Sequence, residues 1–442
     1  MPLVAALRQL WRHAAFRRLL TLRVFSQAAD GTLQVGMASY ILFSPQNQPD
    51  AWSIAAVLAL TLLPFTIVGP FVSPLLDRWP RRNVAFYSDV LRAVLALVIA
   101  GVIFGGLTTG VWQVVLYGAL LVAMSINRFM LAGLSAGLQH TVEPEEFILA
   151  SSIVPTVGPL GVVIGGALGF GTRLSLGRLV PSHQADAVVF GIAALLFVGS
   201  VVTCLGFSRG ALGPDVPGRR ARGVEVLQGL IDAGRHLATR PPAAVALAAM
   251  VVSRLLFGLF SVAIILAARN LWHDVTQTEA ALADLTIWGG LTGAGFVLAA
   301  ALVPVLVRRL GLRHTAVALL VAAALLLAGT AVADRKAVLF ALSFGIGLVT
   351  QAFKICVDTI VQAHVDEQYK GRIFTFYDVG YNGAFVASAV IAAVVLPPTG
   401  LDPVAFAVMS ATGLATAAFV AGTARRIGTG AFERGTEALV SS

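Results

Sequence analysis

The segment SPLLDRWPRR, from Ser73 to Arg82, separates two long apolar runs. The run before it extends from Trp52 to Ser73, and the run after it extends from Val84 to Phe104. Each is long enough to cross the hydrocarbon core of a bilayer as a helix, which takes about twenty residues. The segment, which we name the charged turn, therefore predicts two transmembrane helices joined by a short polar connection.

The composition of the whole chain supports lipid as its solvent. Of the 442 residues, 57% are hydrophobic and only 12% are charged, and the mean hydropathy is +0.86. A water-soluble globular protein does not show this balance. The net charge of +9 is spread over short clusters between apolar runs. This pattern argues against a nucleic-acid partner and for loops that touch membrane lipids.

Working outward from the charged turn, twelve apolar runs of spanning length can be drawn, bounded by charge, proline or glycine. A polar stretch divides them into six and six. The predicted spans are 24–44, 52–73, 84–104, 111–139, 147–171, 184–206, 243–268, 284–307, 314–332, 337–362, 373–397 and 404–424.

These spans predict five regions and an orientation. Most of the 31 basic residues fall in loops on one side, so the positive-inside rule places both termini in the cytoplasm. The outer loops are expected to contain Arg173, Arg269 and Lys336 among their few cations. The regions are an amphipathic surface leader (1–23), a six-helix half (24–206), a basic cytoplasmic linker (207–242), a second six-helix half (243–424) and a cytoplasmic tail (425–442).

The two halves carry matching short patterns at an offset of 223 residues. The basic turn after the second span also has a counterpart after the eighth, at residues 308–313. Two related halves are a common design of secondary transporters. The matched positions are Gln139, Val142 and Glu143 in the first half and Gln362, Val365 and Asp366 in the second.

The charged turn resembles the signature loop G-x-L-x-D-R-x-G-R-R between the second and third helices of the major facilitator superfamily. Ser73 and Pro80 replace the two glycines of that pattern. The resemblance implies an all-α fold of twelve transmembrane helices in two six-helix halves. It also implies that the turn latches the halves together on the cytoplasmic side, unless its arginines only contact lipid headgroups. With a nearby pair on the third span, the predicted latch residues are Asp77, Arg78, Arg81, Arg82, Asp89 and Arg92.

The fifth span is similar to the glycine and proline motif of the superfamily's antiporters. It contains Gly158, Pro159, Gly161 and Gly165, and the resemblance implies export. Physically, the last two glycines form a small-xxx-small surface on which another helix can pack closely. The stretch 365–374 also resembles exporters of siderophores and macrolides.

Charges within the spans are the candidate functional groups, since a charge at bilayer depth costs a few kcal/mol unless it is paired or hydrated. Gln27, Asp30 and Gln34 share one face of the first helix. A buried carboxylate such as Asp30 can bind and release a proton, and Arg128 on the fourth span is its predicted partner. A static ion pair is the alternative.

The second half carries its own set of polar groups. Lys354 and Asp358 are four residues apart and predict an ion pair on one helix. Asp378 and Asn382 share a face of the eleventh span, and Arg254 lies mid-span on the seventh, where it is a candidate for an anionic substrate. Neighbouring aromatic residues are expected to pack against other helices or lipid.

These features predict a monomeric, proton-coupled exporter of a small amphipathic molecule, such as a drug or siderophore, in a bacterial plasma membrane. The alternatives are a lipid or lysolipid flippase, an importer and, more remotely, an intramembrane enzyme or scaffold. Phosphate-cradling and HExxH motifs are missing from the sequence, and Cys204 and Cys356 lie far apart in apolar runs. We therefore expect no enzymatic activity, no cofactor and no metal site.

Overall fold

The computed structural model describes residues 10–43, 79–107, 110–143, 146–177, 179–208, 210–213, 223–274, 277–333 and 335–433, together with residues 52, 54, 56, 59 and 60. In these residues every regular element is a helix. Apart from those five residues, the predicted second span lies outside the described residues, as does the Asp77 and Arg78 portion of the charged turn.

In the first part of the chain the structure describes five long helices, which correspond to the first and the third to sixth predicted spans. They are α1 (Ala14–Phe43), α2 (Arg81–Phe104), α3 (Val111–Gly137), α4 (Phe147–Leu176) and α5 (Ser182–Leu205).

Seven further helices follow, and six of them correspond to the seventh to twelfth predicted spans. They are α6 (Gly223–Ala238), α7 (Pro241–Asn270), α8 (Thr278–Leu310), α9 (Leu312–Ala331), α10 (Lys336–His364), α11 (Glu367–Val395) and α12 (Pro403–Ile427).

The leader differs from its predicted form. It was expected to lie on the membrane surface up to residue 23, whereas α1 already begins at Ala14. Phe16, Leu19 and Leu22 are fully buried in the core, so packing joins these residues to the first helix. The predicted linker 207–242 contains the helix α6.

The helices group into two compact units, with the boundary between Gly223 and Val224. In the first unit, α1 packs against α4 and α5, and α2 packs against α5. In the second unit, α7 packs against α11, α10 and α12, and α9 packs against α12. The pairs α1–α4 and α7–α11 occupy equivalent places in the two predicted halves, so the units share a packing plan.

Apolar side chains cover much of the outer surface of these helices. Val114, Leu195 and Val404 each expose about 70% of their side-chain surface, which water would disfavour and lipid tolerates. Ten of the described helices are long and apolar enough to cross a membrane. The helix α1 carries Arg17, Arg18, Arg23 and Asp30 and is not among these ten.

Candidate functional site

A buried ionic network joins three helices of the first unit around Arg92 of α2. The Arg92 guanidinium forms an ion pair with Asp30 of α1, and its Nη1 lies 2.9 Å from Oδ1 of Asp89 one turn earlier on α2. All three side chains are at most 1% exposed. Two carboxylates thus share one guanidinium in a site from which water is excluded.

Hydroxyl groups complete the environment of Asp89. Ser26 of α1 donates a hydrogen bond to its Oδ1 at 3.1 Å, and Ser200 of α5 donates to its Oδ2 at 2.5 Å. The Arg92 guanidinium also lies 4.1 Å from the ring centroid of Phe197. A cation over an aromatic face is favourable in a desolvated site, so the ring contributes to the charge balance.

The network bears on two expectations from the sequence. Asp30 forms an ion pair with Arg92, whereas the side chain of Arg128, its predicted partner, lies outside what the structure describes, so that pairing stays a prediction. Asp89 and Arg92 were placed with the latch residues, but they are buried with Asp30 inside the unit. Helical spacing identifies which residues share a face, whereas the partner is decided by which helix packs there.

Amide side chains on α1 lie beside this network. Gln27 donates from Nε2 to Oδ2 of Asp30 at 2.9 Å and lies 3.4 Å from the amide oxygen of Asn127 on α3. Gln34, the third member of the predicted polar face, is only partly buried. The structure therefore brings Gln27 and Asp30 together with α2 and α3.

Two of the predicted latch residues, Arg81 and Arg82, lie at the start of α2. Arg81 donates from its backbone N–H to the Gly213 carbonyl at 3.0 Å and from its guanidinium to the Leu212 carbonyl at 3.2 Å. The Arg82 guanidinium stands 5.6 Å from the Phe86 ring. The two Arg81 hydrogen bonds connect the start of α2 to the segment that follows α5. The role of Asp77 as a latch stays a prediction.

The glycines of the predicted antiporter motif lie where α4 crosses α1. A Cβ on Gly165 would overlap the Ala28 carbonyl, and one on Gly161 would lie 2.9 Å from the Gln27 Cβ. Thr32 of α1 donates a hydrogen bond to the Gly165 carbonyl at 2.8 Å. Gly158 lies against the Arg23 side chain, and Pro159 is exposed. The two backbones approach so closely because no side chain separates them.

In the second unit, Arg254 of α7 is enclosed by aromatic rings. Its guanidinium carbon lies 4.2 Å from the ring centroid of Tyr381 and 4.1 Å from that of Phe385, both on α11. Phe257 adds a third ring at 5.4 Å. As expected of an aromatic residue in this helix, Phe257 also packs against the rings of Phe296 and Phe385.

A second cation lies beside the same rings. Lys354 of α10 forms an ion pair with Asp358 at 3.0 Å, as the spacing predicted, and its Nζ lies 5.6 Å from the Tyr381 ring centroid. Asn382 donates its amide to the Asp378 backbone carbonyl at 2.9 Å, one turn earlier on α11.

A second buried ion pair lies further along α1 in the first unit. Arg173 at the end of α4 binds Asp186 of α5 at 2.7 Å, and Ser39 of α1 donates to the same carboxylate oxygen at 2.7 Å. Arg173 was expected in an outer loop, but it is 4% exposed because α4 continues to Leu176. Arg269, also expected in a loop, is buried within α7.

Each unit has a histidine–carboxylate contact, and the carboxylate directly precedes α4 in the first unit and α11 in the second. His13 lies 2.6 Å from Glu146 in the first unit, and His236 lies 3.7 Å from Asp366 in the second. The two histidines are 223 residues apart, which is the offset already seen in the sequence pattern. The repeat therefore includes these two histidines. Their carboxylate partners are not at the same offset, because Asp366 matches Glu143 in the sequence pattern whereas Glu146 makes the contact.

Comparison with known proteins decides the family. The family model of the Major Facilitator Superfamily matches residues 19–389. This chain belongs to the major facilitator superfamily. An uncharacterized transporter of this superfamily type from Mycobacterium tuberculosis and one from Mycobacterium bovis are each 31% identical over 392 residues, covering 88% of this chain and 86% of the relative.

Solved structures of major facilitator proteins share the fold at low identity. The peptide transporter POT is 13% identical with a TM-score of 0.70, over 94% of this chain and 95% of that one. The nucleoside transporter NupG is 14% identical with a TM-score of 0.63, over 93% and 99%. The E. coli fucose:proton symporter FucP is 13% identical with a TM-score of 0.56, over 92% and 98%.

The prediction of an all-α, twelve-helix major facilitator fold is thereby confirmed. The chain is a multi-pass membrane protein and a secondary transporter of a small molecule. The superfamily is one of transporters rather than enzymes.

Sequence reasoning missed several members of these sites. Ser26, Ser200 and Phe197 are ordinary helix residues by sequence, and no local pattern marks them as partners of one network. The contact between His13 and Glu146 had a detectable signal, since the histidines repeat at the offset already noted. Extending that repeat toward the N-terminus would have found the two histidines.

Proposed function

We propose that this transporter is a proton-coupled exporter of a small amphipathic molecule in a bacterial cytoplasmic membrane. The single observation that supports coupling is that Asp30 and Asp89 share the Arg92 guanidinium in a closed site. One carboxylate is neutralised by Arg92, and a proton is the simplest neutraliser of the second. Binding and release of that proton would alter the contacts that join α1, α2 and α5.

Export is favoured by the glycine and proline motif of α4, which is similar to that of antiporters. In alternating access, a transporter presents its substrate site to each side of the membrane in turn. Antiport requires that the proton and the substrate are bound in different steps of this cycle. A carboxylate that can exchange Arg92 for a proton has the chemistry for such a step.

The test uses proteoliposomes with an imposed pH gradient and three labelled probes: ethidium, 2-naphthoate and lysophosphatidylglycerol. Protein-free vesicles supply the background for each probe. We expect native protein to accumulate ethidium or 2-naphthoate in the acidic compartment, as antiport requires. Accumulation in the alkaline compartment would instead indicate symport and import, and movement of the lysolipid alone would indicate a flippase.

The variant that tests coupling is Asp30→Asn, with Asp232→Asn on the exposed face of α6 as the matched control. Asp30→Asn is expected to abolish gradient-driven accumulation while probe exchange without a gradient continues. Asp232→Asn is expected to behave as native. Undiminished gradient-driven accumulation by Asp30→Asn would contradict the coupling role of this carboxylate.

A further inference from the structure

The Arg254 side chain differs from the ion-paired lysines of the second unit because its neighbours are aromatic. Tyr381 and Phe385 lie close to its guanidinium. It forms no ion pair with any residue that the structure describes. The Nε atom is buried and has no hydrogen-bond partner there. A buried donor of this kind calls for an acceptor that the described part of the chain does not supply.

The charge balance around Arg254 is positive. Lys354 lies over the same Tyr381 ring, but its charge is matched by Asp358 at 3.0 Å. Among the described residues, Arg254 contacts aromatic rings and forms no ion pair with a carboxylate, and rings interact with cations more weakly than a carboxylate does. A positive charge at bilayer depth is costly, and it is a functional candidate when it has no ionic partner.

The Arg254 guanidinium has its N–H donors in one plane, arranged as a fork along its edge. These donors form no ion pair with any residue that the structure describes. The Arg254 side chain is only partly buried, so part of it can be reached. A carboxylate fits such an edge with two parallel hydrogen bonds.

We propose that Arg254 binds the carboxylate of the transported molecule and that Tyr381 and Phe385 contact its flat apolar part. The substrate class is an aromatic or conjugated organic carboxylate. This inference rests on the proposed transport function and specifies its cargo. It adds an aromatic or conjugated apolar part to the anionic substrate for which the sequence made Arg254 a candidate.

The test measures binding to the full-length protein in lipid nanodiscs by isothermal titration. The probes are 2-naphthoate, 2-naphthalenemethanol and 2-naphthylmethylammonium, which share one ring system and differ in charge. Native protein is expected to bind 2-naphthoate at least tenfold more tightly than the alcohol. Arg254→Gln should weaken 2-naphthoate binding at least tenfold and leave the alcohol unchanged.

Two further variants make the outcome specific. Arg254→Lys retains the charge but not the planar fork, so it should bind 2-naphthoate with intermediate affinity and serves as the test if Arg254→Gln fails to fold. Arg309→Gln removes an exposed arginine at the end of α8 and should bind as native. Native-like binding of 2-naphthoate by Arg254→Gln, tighter binding of the ammonium probe, or failure of native protein to bind 2-naphthoate would overturn the inference.

Binding and transport can fail independently of each other. Arg254-dependent binding of 2-naphthoate without gradient-driven accumulation would contradict the exporter proposal and leave the anion site standing. Gradient-driven accumulation of ethidium, with no Arg254-dependent preference for 2-naphthoate, would leave coupled transport standing and reject the anion site.

Discussion

Arg92 of α2 forms an ion pair with Asp30 of α1, and both side chains are fully enclosed in the first unit. Because Asp89 contacts the same guanidinium, the loss of Arg92 would remove a cation shared by two buried carboxylates. The pair therefore connects the stability of the unit with the charge chemistry proposed for transport.

Replacing Arg92 should destabilise the protein in proportion to the charge left unpaired. Arg92→Leu is expected to cost about 3–5 kcal/mol, the usual penalty for breaking a buried ion pair from one side. Arg92→Lys should cost less, since it retains a cation but cannot contact both carboxylates in the same way. Thermal unfolding in nanodiscs measures both variants.

A charge-neutral combination provides the control. Arg92→Leu with Asp30→Asn and Asp89→Asn removes the unpaired charges and should recover much of the lost melting temperature. If the triple variant is no more stable than Arg92→Leu alone, packing rather than charge explains the loss.

The crossing of α1 and α4 should tolerate no side chain at Gly165. An added Cβ would overlap the Ala28 carbonyl, and two backbones cannot yield as a flexible side chain can. Gly165→Ala should therefore lower the melting temperature or prevent folding, by the usual 1–3 kcal/mol or more for overpacking. Gly171→Ala on the same helix meets nothing within 4 Å and should be neutral. Equal effects of the two substitutions would contradict this account.

The two histidine–carboxylate contacts should differ in strength because their exposure differs. The Glu146 side chain is 6% exposed beside His13, whereas Asp366 is 47% exposed beside His236 and Arg240. Exposed ion pairs contribute about 0.2–1 kcal/mol, and buried ones cost more when broken. Glu146→Gln should thus destabilise the protein more than Asp366→Asn. The reverse order in thermal unfolding would refute the argument from burial.

Glu433 should stabilise the start of α9 and slow hydrogen exchange there. Glu433 accepts hydrogen bonds from the backbone N–H groups of Leu312 at 3.0 Å and Arg313 at 3.1 Å, where the helix has no partner of its own. Glu433→Ala should cost about 0.5–2 kcal/mol, as loss of a helix cap does. Hydrogen exchange should accelerate at residues 312–315 and stay unchanged at 404–407 in α12. Unaltered exchange at 312–315 would show that the cap does not stabilise this end.

Helix number and type followed from the sequence because the membrane imposes a local requirement. Each spanning helix must satisfy its own backbone and present about twenty apolar residues, and both properties are visible in one stretch of chain. The ion pair of Lys354 with Asp358 was predictable for the same reason, since both residues lie on one helix. The glycines at 161 and 165 likewise predicted a close helix contact, although not with which helix.

Only the tertiary structure decided which residues meet across helices. Asp30 selects Arg92 because α2 and α5, together with α1, enclose a common space, and nothing in the spacing of either segment encodes that neighbour. Arg254 acquires its aromatic enclosure in the same way, from rings that α11 brings to α7. Apolar length is a property of each segment, which the sequence determines by itself. The pairing of buried charges is a property of packing, since the cost of an unmatched charge is settled only when the helices have come together.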